Sequence, residues 1–166
     1  LSPGDAAILS NKGSVLTSLG MYNESAQAYS AALLNDPQNA RSWGYLGYAL
    51  NKMGNFNESL KACEKGLAID PNSSLLWTNR GFALNNLGNY KEGVAAYDRA
   101  LAIDQTFPVS WFNKGFALSA LGRYSDAITA YDGALALDPN ISMAWLYKAA
   151  ALSRLGKYED AVAAYD

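Results

Sequence analysis

Residues 108–139, PVSWFNKGFALSALGRYSDAITAYDGALALDP, read as two helices with a turn between them. At 100° per residue, Trp111, Lys114, Gly115 and Leu118 share one face of the first helix. Gly122 ends that helix, because glycine takes φ > 0 without strain. The second helix begins near Tyr124 and carries Ala127, Ile128, Tyr131, Ala134 and Leu135 as its apolar stripe. Asp126 falls in its first turn, where a carboxylate meets the positive end of the macrodipole. Asp138-Pro139 stops it, since the residue before a proline is pushed out of the α region.

The same pattern recurs in both directions at intervals of 34 residues. Trp43, Trp77, Trp111 and Trp145 are in register, as are Gly20, Gly54, Gly88, Gly122 and Gly156. Tyr22, Phe56, Tyr90, Tyr124 and Tyr158 form a third series. Tyr29, Tyr97, Tyr131 and Tyr165 form a fourth, interrupted by Cys63. Asp36, Asp70, Asp104 and Asp138 close successive units, with Pro37, Pro71 and Pro139 after three of them. Five series in one register define a repeat array. Its units run 6–39, 40–73, 74–107, 108–141 and a shortened 142–166. Gly47, Gly81, Gly115 and Ala149 face Ser59, Gly93, Ala127 and Ala161, so the two backbones of each unit are expected to approach closely.

The run W-x-x-x-G-x-x-L, then L-G-x-Y or M-G-x-F, then A-x-x-x-Y-x-x-A-L and D-P, resembles the tetratricopeptide repeat over essentially the whole chain. The resemblance implies an all-α, right-handed superhelical solenoid of antiparallel helix pairs, with a concave groove lined mainly by first helices. Three departures stand out. Lys12, Arg80, Lys114 and Lys148 stand where the family usually has leucine, which only Leu46 keeps, so a looser or wetter contact is expected there. Gln105 replaces a proline, which predicts a re-angled junction. Leu9 replaces the first tryptophan. At the ends, Pro3 and Leu1 sit on the register of a unit's tail, so residues 1–5 read as the end of a preceding repeat. Asp166 falls inside a second helix, and the chain is expected to be a piece of a longer array.

Composition narrows the function. The 166 residues are half hydrophobic and 17% charged, which fits an ordered core. Thirteen basic against 15 acidic residues give a net charge of −2. That disfavours nucleic acid, whose binding draws most of its affinity from neutralised phosphates. Histidine is absent, and with it the commonest general base and zinc ligand. No paired catalytic carboxylates, phosphate loop or metal cluster appears, so neither an enzyme nor a cofactor is expected. One carboxylate per Asp-Pro turn falls short of a calcium shell. The single cysteine, Cys63, reads as a small buried hydrophobe. Asn23, Asn57, Asn72 and Asn140 begin N-x-S sequences that turn composition explains. No apolar run approaches the ~20 residues of a membrane span.

A second stripe lies opposite the core face of each first helix. Counted from Trp111, positions −2, +1, +2, +5 and +9 fall between about 100° and 200°. Along the array this stripe holds Arg41, Tyr45 and Tyr48; Leu75, Asn79 and Phe82; Val109, Phe112, Asn113 and Phe116; then Met143, Leu146 and Tyr147. The first unit is polar here, with Ser10, Asn11, Ser14 and Ser18. Two readings are open: packing between neighbouring first helices, or a groove for a ligand. The groove is preferred, because tyrosine and phenylalanine dominate interface energetics at low rotamer cost. It names Arg41, Tyr45, Tyr48, Asn79, Phe82, Phe112, Asn113, Phe116 and Tyr147 as candidate peptide-binding residues. Asn11, Asn79 and Asn113 occupy equivalent places and could grip an extended backbone through both ends of the amide. This resembles the asparagine ladder of some family members. The family's carboxylate clamp is not matched, since Thr78, Phe82, Asn113, Met143 and Tyr147 fill its positions. The leading expectation is a scaffold for a protein or peptide. The alternative is self-assembly, by end-to-end stacking of arrays or by another part of the parent protein filling the groove.

Overall fold

The computed structural model describes residues 3–164, with side chains from residue 5 onward. Leu1, Tyr165 and Asp166, which carry part of the register argument, lie outside the described residues. The described chain is an all-α array of helix pairs. First helices are α1 (Pro3–Ser18), α3 (Ala40–Lys52), α5 (Ser74–Asn86), α7 (Pro108–Ala120) and α9 (Ser142–Arg154). Second helices are α2 (Tyr22–Asn35), α4 (Phe56–Ile69), α6 (Tyr90–Ile103), α8 (Tyr124–Leu137) and α10 (Tyr158–Ala163). Pro3 already opens α1, so residues 3–5, expected as the end of a preceding repeat, lie in the first helix instead; proline suits the first helical turn, where its missing N–H would have no partner. The chain divides into two compact units, 1–87 and 88–166. Within each, consecutive helices pack on one another, and α3 also meets α1 and α5, as α7 meets α9.

Within each unit the pairs are joined by the same turn. Gly122 has φ of 75°, its N–H reaches the Ser119 carbonyl at 3.0 Å, and the Arg123 N–H reaches the Leu118 carbonyl at 2.9 Å. Two of the last orphan carbonyls of α7 are thereby satisfied, which is what a glycine at a helix C-terminus achieves. The turn after each second helix carries a staple that periodicity does not reveal. The indole N–H of Trp43, Trp77, Trp111 and Trp145 donates to the carbonyl six residues earlier, at 2.9–3.0 Å. For Trp111 that carbonyl belongs to Gln105. Only a carbonyl is required, so the staple survives the loss of proline. Asp104 accepts from the Thr106 N–H at 2.9 Å, as Asp70 and Asp138 accept from Asn72 and Asn140 at 3.0 Å. The local bonding at this junction is therefore the same as at the others, with Pro108 at the start of α7.

The cations in the leucine position are better placed than their chemistry suggests. Lys114 Nζ lies 2.6 Å from Asp98 and 5.5 Å from the centre of the Trp111 ring. Lys148 repeats this with Asp132 at 2.7 Å and Trp145 at 5.0 Å. The ammonium lies over the indole and bridges to the preceding second helix. At Lys114 and Lys148 the contact is therefore closed by an ion pair, with the aspartate half in water.

Candidate functional site

Small residues set how near the helices of a pair approach. In unit 88–166, a Cβ on Gly115 would stand 2.6 Å from the Tyr131 ring. The glycine makes room for the ring, and Tyr131 is fully buried. In unit 1–87, a Cβ on Gly47 would meet Cys63 Sγ at 3.0 Å and Ser59 Oγ at 3.6 Å. Ser59 Oγ donates to the Gly47 carbonyl at 2.9 Å, and Ser25 Oγ to that of Gly13 at 3.0 Å. Burial pushes the Cys63 thiol up to about 12, partly offset by Ser59, so it stays a protonated core group.

The stripe residues divide into rows. Tyr48, Phe82 and Phe116 are half-buried, each against the ring that opens the preceding second helix. Tyr22–Tyr48 centres are 6.3 Å apart, and Phe56–Phe82 and Tyr90–Phe116 are 6.4 Å apart. Inter-repeat packing thus covers part of each ring.

The second set of equivalent positions is Asn11, Tyr45 and Asn79 in unit 1–87, and Asn113 and Tyr147 in unit 88–166. Tyr45 stacks on Tyr29 at 5.6 Å, with the Arg41 guanidinium 5.5 Å over its ring and 3.3 Å from its hydroxyl. Beside it, between α1 and α3, lies a polar hollow of about 250 Å³ lined by Ser10, Asn11, Ser14, Arg41 and Tyr45 among others. Tyr147 stacks on Tyr131 at 6.3 Å and meets Phe112 at 5.9 Å and Phe116 at 5.6 Å. Phe112 also touches Tyr131, at 6.0 Å. Burial pushes the Tyr131 hydroxyl up to about 12, moderated by its 3.1 Å bond with Ser119. Val109, Met143 and Leu146 are exposed beside this four-ring cluster, and Asn113 is half-buried.

Asn79 requires a correction. It is only 5% exposed, and its amide N–H donates to the Gly44 carbonyl at 3.0 Å, while its backbone carbonyl accepts from the Asn51 amide at 2.9 Å. The side chain ties α5 to α3 and is not presented to a ligand, so a ladder through Asn11, Asn79 and Asn113 is broken at its middle rung. Sequence reasoning also missed the floor of the row. Tyr29 and Tyr131 lie beneath Tyr45 and Tyr147, and the signal was the shared 16-residue interval. At the same interval before Asn79 stands the short Cys63.

Among the described residues no cluster of ligating side chains could hold a metal, and no helix is long and apolar enough to cross a membrane.

Sequence families described as tetratricopeptide repeats match residues 6–39, 40–73, 74–107 and 112–166. No curated protein sequence matches the chain. Among solved structures, a crystal structure of MamA protein is 21% identical, covers 97% of this chain and 88% of its own, and has a TM-score of 0.82. MamA 41-end from Desulfovibrio magneticus RS-1 is 17% identical, with 97% and 91% coverage and a TM-score of 0.84. TTC0263, a thermophilic repeat protein of Thermus thermophilus, is 19% identical, with 96% and 88% coverage and a TM-score of 0.79. At these identities the likeness is one of fold alone.

Proposed function

We propose that this chain, which belongs to the tetratricopeptide repeat family, is a protein-interaction scaffold whose first-helix face holds a segment of a partner polypeptide. The observation that supports this most is that the rings of this face are packed against neighbours yet remain half-buried, in each of the two units. A ring fixed by its neighbours has lost its rotamer entropy before a ligand arrives, so contact with it costs less. In unit 88–166 the contact surface is Phe112, Phe116 and Tyr147 with exposed Val109 and Met143, which suits apolar ligand side chains. In unit 1–87 it is Tyr45 and Arg41 beside a polar hollow, which suits backbone or polar groups.

A peptide-array screen followed by calorimetry tests the reading. Tyr45→Ala and Tyr147→Ala, combined, are expected to weaken a selected peptide by more than ~2 kcal/mol while circular dichroism keeps its helical signal. Unchanged affinity in that variant would move the site off this face.

A further inference from the structure

The position three residues after each tryptophan carries a second consequence. In four units it holds Lys12, Arg80, Lys114 or Lys148; in 40–73 it holds Leu46. The carboxylates that pair with Lys114 and Lys148 stand 16 residues before them, at Asp98 and Asp132. Sixteen residues before Leu46 stands Ser30. Unit 40–73 therefore lacks both halves of the bridge that spans the tryptophan in units 108–141 and 142–166.

What takes its place is a trough of about 700 Å³ on the second-helix face of unit 1–87, between α2 and α4. Trp43, Leu46 and Leu50 of α3 form its floor. Leu34 stands on the α2 wall, 86% exposed, a large apolar side chain with its surface in water. Along α2 the lining runs from Asn23 to Leu34, which at 1.5 Å per residue is about 16 Å, or three helical turns. A rod of that length between two parallel helices has the shape of an amphipathic helix presenting positions i, i+4 and i+7.

The rim gives the charge of the occupant. The α2 side is neutral, with Asn23, Gln27 and Ser30, whereas the α4 side carries Glu58 and then Lys61 and Lys65. Among the described residues neither lysine has a carboxylate within ion-pair distance; Lys65 lies 4.8 Å over the Trp43 ring. In a chain of net charge −2 this edge is locally positive. We propose that the trough docks an amphipathic helix of a partner protein, its apolar face on Trp43, Leu46 and Leu34 and its acidic flank along Lys61 and Lys65. The inference stands apart from the first-helix reading, because it uses the opposite face of the repeat, walled by the second helices α2 and α4.

The probe is a displayed library of helical 15-residue peptides with leucine fixed at i, i+4 and i+7 and flanks randomised among Glu, Lys and Ser. Selection on the whole chain is expected to enrich Glu on one flank only. Leu46→Lys with Ser30→Asp, which installs the bridge that other units carry, is expected to fill the trough and weaken the selected helices at least tenfold. Lys61→Glu with Lys65→Glu is expected to reverse the flank preference, and it decides the matter even if the first variant does not fold. Enrichment without a charge preference would overturn the proposal. So would selected helices that bind both variants as tightly as the unaltered chain, or that perturb amide resonances of first helices only.

Discussion

The two units are built on one repeat and filled with different chemistry. Of eight buried polar residues among those described, seven lie in unit 1–87: Ser25, Ser42, Asn51, Ser59, Thr78, Asn79 and Asn85. Unit 88–166 has Ser110. It gathers more rings, with Tyr131 at the centre of contacts to Phe112 and Tyr147 where unit 1–87 has the single Tyr29–Tyr45 stack, and it replaces Ser25 and Ser59 by Ala127 and Ala161. The polar seam joins helices by hydrogen bonds to backbone carbonyls, each worth about 1 kcal/mol net. The aromatic seam joins them by buried area and ring contacts, which carry more energy per residue. The turns hold the same geometry in both units, so the repeat frame tolerates either filling. The surface offered to a ligand differs accordingly.

The sharpest way to break the comparison is to remove the ring at its centre. Tyr131→Ala should cost about 3–5 kcal/mol in urea unfolding, against about 1 kcal/mol for Cys63→Ala at the equivalent place. Equal losses would mean that the rings do not carry the second unit. Next come the facing glycines. Gly115→Ala drives a methyl into the Tyr131 ring and should destabilise by about 2 kcal/mol, even after the helix-propensity gain of about 1 kcal/mol. Gly47→Ala meets the slimmer Cys63 and should shift the urea midpoint by less than half as much. A hydrogen-bond test follows. Asn79→Ala leaves the Gly44 carbonyl without its donor and should cost about 1–2 kcal/mol, with faster hydrogen exchange in α3 and α5. If it changed only peptide binding and left stability untouched, Asn79 would belong to the ligand surface after all. The smallest effect is expected at the bridge. Asp98 is half-exposed, so Lys114→Met should change stability by less than about 1 kcal/mol, and the change should shrink further in high salt.

Much of this was readable in advance, and for a local reason. A positive φ at Gly122, a helix stop at Asp138-Pro139 and a carboxylate in the first turn at Asp126 are each decided within a few residues, so their periodic return located every helix pair. The candidate site was legible only as an angle on a helix. Periodicity placed Phe82 and Phe116 away from the tryptophan face, but the Phe56 and Tyr90 rings that half-cover them come from another repeat. That Leu46 alone keeps the family's leucine was visible as a letter, and the trough beside it was not.

By itself the sequence determined the repeat length, the turns and the filling of each seam, because these follow from backbone conformations and residue volumes fixed along a short stretch of chain. Tertiary structure alone decided that Asn79 ties α5 to α3, that Tyr45 and Tyr147 rest on rings 16 residues behind them, and that a trough lies over Leu46 between α2 and α4. Those outcomes depend on which atoms of neighbouring helices compete for the same few ångströms, and no helical angle contains that information.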